Sequence, residues 1–344
     1  MKRSSIVAAC LSALSFFAGA SYAEHFSFDD KPNQYLDVKL DGKIVARYMD
    51  AFDKSTPEKV NETYKPYLHI FDADGNAPIT KGVGGQFPHH RGIFIGFNKI
   101  ASNGKSYDRW HMTKGEIVHK SFANQKASDD MATFTSVTSW SGEPGGEALL
   151  EEHRTMTFTK PAGAWRLAVE FTSELKANSQ AVELNGDPEH SGVQYRPAAE
   201  LDTKETLYLY PVAKAEPHKD TDYPWVGETY LLNGKKYSVV ELNHTSNPKG
   251  TRISAYRDYG RMGFFPTLKI EAGKSATLKY KFLIADGELP SAADIQKNYD
   301  QFVGASTPSA VPPTQSLPAE KSGTPKPQPA KPPAKTAAPA TPVK

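Results

Sequence analysis

The stretch Tyr35-Leu36-Asp37-Val38-Lys39-Leu40-Asp41-Gly42-Lys43-Ile44-Val45-Ala46-Arg47-Tyr48 alternates apolar and polar residues on both sides of an Asp-Gly pair. A period of two is the pattern of a strand with one buried face. Asp-Gly between two such runs signals a two-residue hairpin, because both turn residues need positive φ. The pattern recurs: Asn233-Gly234 joins Thr229–Leu232 to Lys236–Leu242. Further strand-like runs are Tyr64–Phe71, Gly115–Lys120, Ala132–Trp140, Glu147–Phe158 and Trp165–Leu175. Val193–Leu201, Thr206–Tyr210, Arg252–Tyr256, Gly263–Ile270 and Ala276–Ile284 complete the set. Many short strands with regular turns and few helical periods predict an all-β protein. The strand number suits a large antiparallel β-sandwich. One C-terminal helix is expected after Pro290, with Ser291 as N-cap, Asp294 in the first turn, an Ile295-Tyr299-Phe302 stripe and a stop at Gly304.

Both ends differ from this body. Met1-Lys2-Arg3, an apolar run from Ile6 to Ala20 and Ser21-Tyr22-Ala23 read as a signal peptide over residues 1–23. Export to the periplasm or the cell exterior is therefore expected. Val7-Ala8-Ala9-Cys10 resembles a lipobox, but the apolar run continues well past Cys10, the chain's one cysteine. A disulfide-free body of 24–304 must rest on its core, and no other apolar run is long enough to span a bilayer. From Ala305 to Lys344, Pro, Ala, Lys, Ser and Thr dominate, which predicts a disordered tail. Its lysines suggest weak contact with anionic cell-envelope polymers. The total charge is +2; Lys2 and Arg3 carry +2 and the tail +4, which leaves −4 on the body. A mildly acidic body argues against a nucleic-acid partner.

Chemistry concentrates at Gln86-Phe87-Pro88-His89-His90-Arg91-Gly92, between the glycines Gly82, Gly84 and Gly85 and the apolar run Ile93–Phe97. A flexible loop there enters a rigid strand, a favoured place for binding and catalysis. The plainer reading is that these histidines cap a strand end. Other candidates are Lys65-Pro66-Tyr67-Leu68-His69, where an extended chain puts Lys65, Tyr67 and His69 on one face, and Arg109-Trp110-His111. In Glu151-Glu152-His153-Arg154, alternation pairs Glu152 with Arg154 on one face and Glu151 with His153 on the other; either pair could be structural. Asn243-His244-Thr245-Ser246-Asn247-Pro248 and an Arg257-Asp258 pair follow. His69, His89, His90 and His111 could hold a transition metal, although no helical His-x-x-x-His pair is present. A nucleophile elbow and a phosphate loop are both missing, against a serine hydrolase or an NTPase.

Taken in order, Lys65–His69, Phe87-Pro88-His89-His90-Arg91-Gly92, Asn243–Pro248, Arg257-Asp258-Tyr259-Gly260 and Ala285-Asp286-Gly287 resemble the DUF6807 family, also labelled methane oxygenase PmoA. Asn243 and Thr245 stand where the family's turn has Asp and Pro. The label gives no support for methane oxidation, since the chain lacks the spans of a membrane oxygenase. The resemblance implies a sandwich similar to the galactose-mutarotase supersandwich, whose members mostly handle sugars with His, Glu, Arg and Tyr from one concave face.

The first functional expectation is an exported enzyme that cleaves, eliminates or epimerises a sugar or modified glycoside. His90, His89, Glu152 and His244 are its candidate acid–base residues. Lys65, His69, Arg91, Trp110, His111, Arg196 and Arg257 are its candidate substrate contacts, with Trp110 stacking on the sugar and Arg91 and Arg196 holding an oxyanion or carboxylate. No cofactor is expected. A non-catalytic carbohydrate-binding or envelope module and a metal-dependent oxidoreductase are the alternatives. The N-terminal reading is checked by mass spectrometry of the mature protein, which should begin at Glu24; a lipidated Cys10 would overturn it.

Overall fold

A computed structural model describes residues 25–112, 114–187 and 189–322. The expected signal segment, Cys10 and the chain beyond Ser322 lie outside the described residues. Every named strand pair is antiparallel, in three sheets. The first runs β1 (Phe26–Lys31), β2 (Tyr35–Leu40), β3 (Lys43–Met49), β4 (Tyr67–Ile70), β5 (Ile93–Phe97), β13 (Ser191–Tyr195), β18 (Met262–Phe265) and β17 (Arg252–Ala255). The second runs β21 (Gln315–Pro318), β14 (Leu201–Tyr210), β15 (Trp225–Leu232), β16 (Lys235–Asn243), β20 (Ser275–Asp286), β11 (Leu167–Ala177), β10 (Ala148–Thr159), β9 (Met131–Ser141) and β8 (Glu116–Ala127). A small third sheet holds β19 (Leu268–Ile270), β12 (Val182–Asn185), β6 (Lys99–Ser102) and β7 (Lys105–Tyr107).

The two hairpins stand where the Asp-Gly and Asn-Gly pairs put them. Leu40 faces Lys43 across Asp41 and Gly42, and Leu232 faces Lys235 across Asn233 and Gly234; all four turn residues have positive φ. Alternation then decides the faces. Leu68, Ile70, Ile93, Ile95, Val193, Tyr195, Ile253 and Phe264 of the first sheet meet Phe134, Met156, Phe171, Val239, Tyr280 and Phe282 of the second in one core. The opposite face of the first sheet carries Tyr67, Phe94 and Trp110 in a separate apolar cluster.

Two expected strands are each broken in two. Val193–Leu201 ends at Tyr195, and Gly263–Ile270 splits between β18 and β19, which belong to different sheets. Pro197 and Pro266 lie at the breaks; each lacks the N–H that a continued ladder requires.

The helix α2 (Ala292–Val303) has its Ser291 cap and its left-handed Gly304 as expected. Ile295, Tyr299 and Phe302 pack with Trp165, Trp225, Leu242 and Leu283 on the outer face of the second sheet. A short helix α1 (Pro57–Thr63) was not expected. Its signals were nonetheless in the sequence: Thr56 accepts from the Lys59 N–H at 3.2 Å, and Pro57 opens the first turn.

The tail needs a correction in its first part. Residues 305–322 run back over the body, and β21 adds to the free edge of β14, with Tyr210 opposite Gln315 and Leu207 opposite Pro318. Asp300 accepts from the Ser309 N–H, and Glu320 meets His218 and pairs with Arg257. Edge pairing needs backbone groups rather than large side chains, so low apolar content did not preclude it. Truncation after Gly304 is expected to lower the melting temperature by about 5 °C or more relative to truncation after Ser322, at about 2–4 °C per kcal/mol for a chain of this size. Equal melting temperatures would show that the strand contributes nothing.

Candidate active site

The site lies on the outer face of the first sheet and the loops feeding it. Gly96 on β5 permits it: a Cβ there would come within 2.7 Å of the Arg109 carbonyl and 3.4 Å of the Trp110 ring. Trp110 therefore packs close against the sheet beside Phe94, with ring centroids 5.0 Å apart. Gly92 is similarly constrained, because a Cβ would run into the Leu68 carbonyl. Its N–H donates to Lys81 and its carbonyl accepts from Arg196, which knits the His-His-Arg loop to β4 and β13.

Four imidazoles meet above this floor in a row. The rings of His90 and His89 are 4.4 Å apart, those of His89 and His111 4.5 Å, and those of His111 and His190 4.9 Å. Two of them are held by aspartates three residues upstream. Asp108 accepts from the backbone N–H groups of Trp110 and His111 and bonds His111 Nδ1, all at 2.8 Å. Asp187 bonds His190 Nδ1 and accepts from Asn98 at 2.6 Å. Each carboxylate thus orients its ring with Nε2 left outward. The His111 and His190 side chains are 33 and 29 % exposed, His89 is half-buried, and His90 is 2 % exposed. Both ring nitrogens of His90 are buried without a partner among the described residues. Phe87, Met112 and Glu189, which adjoin the imidazoles, all have positive φ, a strained conformation that concentrates at functional sites.

Burial, then the charge of Lys65, pushes the His89 pKa down to about 2. Burial, then Arg261, places His90 well below the ordinary range. Burial also lowers His190, against the pull of Asp187. Burial disfavours the charge of Asp108, but its bonds to His111 and Trp110 outweigh this and hold the carboxyl low. Glu189 is also low: its burial is outweighed by Arg257, Arg261 and Tyr256, all of which bond it. The partner of Arg257 is therefore Glu189, not Asp258. Arg196 lies 4.8 Å over the Tyr259 ring, which in turn is 6.0 Å from His90.

Several sequence candidates have other work. Arg91 is 1 % exposed and donates from all three nitrogens to the carbonyls of Pro88, Glu62 and Asn61, and so closes the C-terminal end of α1. Glu152 is fully buried and accepts from Thr138, Trp140, Arg154 and Ser173, which removes it as an acid or base. His244 sits at the end of β16 against Phe302, bonded to Ser246, in contact with none of the row. The neighbouring Asn243 braces this turn through Asn247. Trp110 is fully buried, so it is the floor and not an exposed stacking plate. His69 shares the outer face with Lys65 and Tyr67 but is bonded to Thr80 below the row. Sequence reasoning missed Asp108, Asp187, His190, Glu189, Arg261 and Tyr259. The repeated Asp-x-x-His spacing, at Asp108–His111 and Asp187–His190, was the available signal.

A cleft of about 200 Å3 lined by Asn98, Asp108, Arg109 and Glu143 opens beside Asp108. A larger one, about 470 Å3 beside α2, is lined by none of the four imidazoles. Among the described residues, no three His, Cys, Asp or Glu are grouped to hold a metal ion; the imidazoles form a row rather than surround a point.

The model of a family of unknown function, DUF6807, matches residues 35–300. The chain belongs to the DUF6807 family. No curated protein matches it in sequence. Among solved structures, this DUF6807 chain is similar to the galactosidase domain of an alpha-galactosidase-sucrose kinase, at 9 % identity and a TM-score of 0.42, over 76 % of this chain and 42 % of that one. It is similar to a heparan sulfate lyase from Pedobacter heparinus at 8 % identity and 0.35, over 78 and 36 %. A galactose mutarotase-like protein from Clostridium acetobutylicum matches at 10 % and 0.38, over 76 and 98 %. The DUF6807 chain thus spans about two fifths of the first two and nearly all of the third. Among its described residues, no helix is long and apolar enough to cross a membrane.

The pKa of His69 is pushed down to about 4, chiefly by burial. The unfolded chain takes up this proton below about pH 6.5 and the folded chain does not. The stability it supports is present above pH 6.5 and lost as pH falls towards 4, about 3 kcal/mol in all. His69→Asn should flatten the fall in urea midpoint between pH 6.5 and 4. An unchanged slope would overturn the assignment.

Proposed function

We propose that this protein is an exported carbohydrate-active enzyme that moves a proton at a sugar carbon or oxygen between imidazoles, an epimerising or eliminating reaction rather than hydrolysis. The observation that carries this reading is the meeting of two aspartate-held imidazoles, His111 and His190, at 4.9 Å, with His89 completing the exposed edge. A neutral imidazole takes a proton from the sugar, and the aspartate behind it stabilises the imidazolium that forms. A neighbouring imidazole that carries a proton returns one from the same face, to the carbon or to the departing oxygen. Two-carboxylate glycoside hydrolysis fits less well. Asp108 and Asp187 are engaged by histidines, and Glu189 by two arginines and Tyr256. Beside the row Phe87 packs on Tyr259 at 4.9 Å.

A panel of reducing sugars and uronates followed by proton NMR in D2O tests the reading. Deuterium wash-in at a sugar carbon, accelerated anomer exchange or elimination is expected. His111→Gln and His190→Gln should each reduce the rate by about 10²–10⁴, with melting temperatures nearly unchanged. Full activity in both variants would remove the row from catalysis. Binding without any turnover would leave a carbohydrate-binding module.

A further inference from the structure

Two buried basic side chains beside the imidazole row have no anionic partner in contact, and burial lowers the pKa of both, Lys65 well below its ordinary range. Lys65 is 2 % exposed; its Nζ donates to the Trp110 carbonyl at 3.1 Å and lies 4.1 Å over the Phe94 ring. Arg196 is also 2 % exposed. It donates to the carbonyls of Pro197 and Tyr259, while its Nε is buried without a partner among the described residues. Both act through space on His90, whose two nitrogens are equally unpartnered.

The carboxylates in the neighbourhood are committed elsewhere. Glu189 takes Arg257, Arg261 and Tyr256. Asp108 is filled by its own loop, and Asp187 by Asn98 and His190. Glu228, which acts on Arg196 from the core side, is fully buried with neither oxygen bonded, and desolvation raises its pKa well above the ordinary carboxylate range. An uncompensated buried charge is strongly unfavourable, and a purely structural position would be served by methionine or leucine. Lys65 as a compact point charge and Arg196 as a fork are complementary donors for a planar or tetrahedral anion.

We propose that the sugar bound against the imidazole row carries an anionic substituent, a carboxylate or a sulfate, and that Lys65 and Arg196 receive it. This rests on the carbohydrate reading above and names its substrate class. An anion there favours the protonated form of Lys65, gives Arg196 a counter-ion and sets the sugar's carbon skeleton over His89, His111 and His190.

Calorimetric titration of the full mature chain with matched pairs tests it: glucuronate against glucose, galacturonate against galactose, and the 6-sulfates of both hexoses. One anionic member should bind at least tenfold more tightly than its neutral partner, and the uronate and sulfate arms separate the two sources of charge. Added salt should shrink the preference. Lys65→Met should remove it while raising the melting temperature of the free protein, because a buried basic group without a counter-ion is gone. Arg196→Met serves as the second variant if the first does not fold. Equal affinity within every pair would overturn the anionic assignment and leave the carbohydrate reading standing. A preference retained in both variants would overturn the two residues. Binding by no member of any pair would overturn both proposals.

Discussion

The buried ion pair of Glu152 and Arg154 is the constraint around which the sandwich closes. Both side chains lie on the inner face of β10 with no exposure. Burial opposes ionisation of Glu152, but Arg154 and the donors Ser173 and Trp140 outweigh it. Arg154 also crosses to the other sheet, where it donates to the Pro66 carbonyl at 3.1 Å. Loss of one partner of such a pair typically costs about 3–5 kcal/mol, because the other is left buried and charged. The bond to Pro66 has a local effect too. It fixes the backbone beside Lys65 from within the core, so the interior sets the position of a cation on the outer face.

The outer face is assembled by the same means, from loops pinned by backbone carbonyls and carboxylates. Arg91 ties the His-His-Arg loop to α1, whose last carbonyls would otherwise lack donors. Asn98 binds Asp187 in both directions, donating to its carboxylate and accepting from its N–H. Glu189 grips the single turn between β17 and β18 at two points, through Arg257 and Arg261. Three separate loops with strained residues are thereby held in register over one sheet. Rigid delivery of side chains from such loops gives the precision that proton transfer demands.

Period-two patterning made the fold readable. Once hairpins at Asp41-Gly42 and Asn233-Gly234 are granted, alternation sends Val38 and Val45 inward and leaves little freedom of register. Errors arose where local rules were overrun: the prolines at 197 and 266 were not allowed to end strands, and Thr56-Pro57 was not taken as a helix start. For the site, chain proximity misled. Glu152 and Arg91 look catalytic in isolation, because nothing local reveals that Ser173, Trp140 or the end of α1 will saturate them. His190 lies 79 residues beyond His111, and only the pairing of β13 with β5 brings them together. The repeated Asp-x-x-His spacing was visible, but its meaning depends on that long-range register.

Satisfaction of buried polar groups separates scaffold from site. Around Glu152 every oxygen has donors. Around His90 the reverse holds: His90, Trp110, Arg196 and Arg261 all keep buried nitrogens without partners among the described residues. Native cores rarely tolerate this. The incompletely satisfied groups continue inward, because Glu228 and Glu241 on β15 and β16 are buried with their oxygens unbonded and act on each other through space. Glu228 in turn feels Arg196, and Arg196 and Lys65 both act on His90. A chain of electrostatic contacts therefore runs from the sandwich interior to the imidazole row. A negative charge arriving at its outer end would weaken the field of Arg196 at Glu228 and favour the protonated carboxyl further.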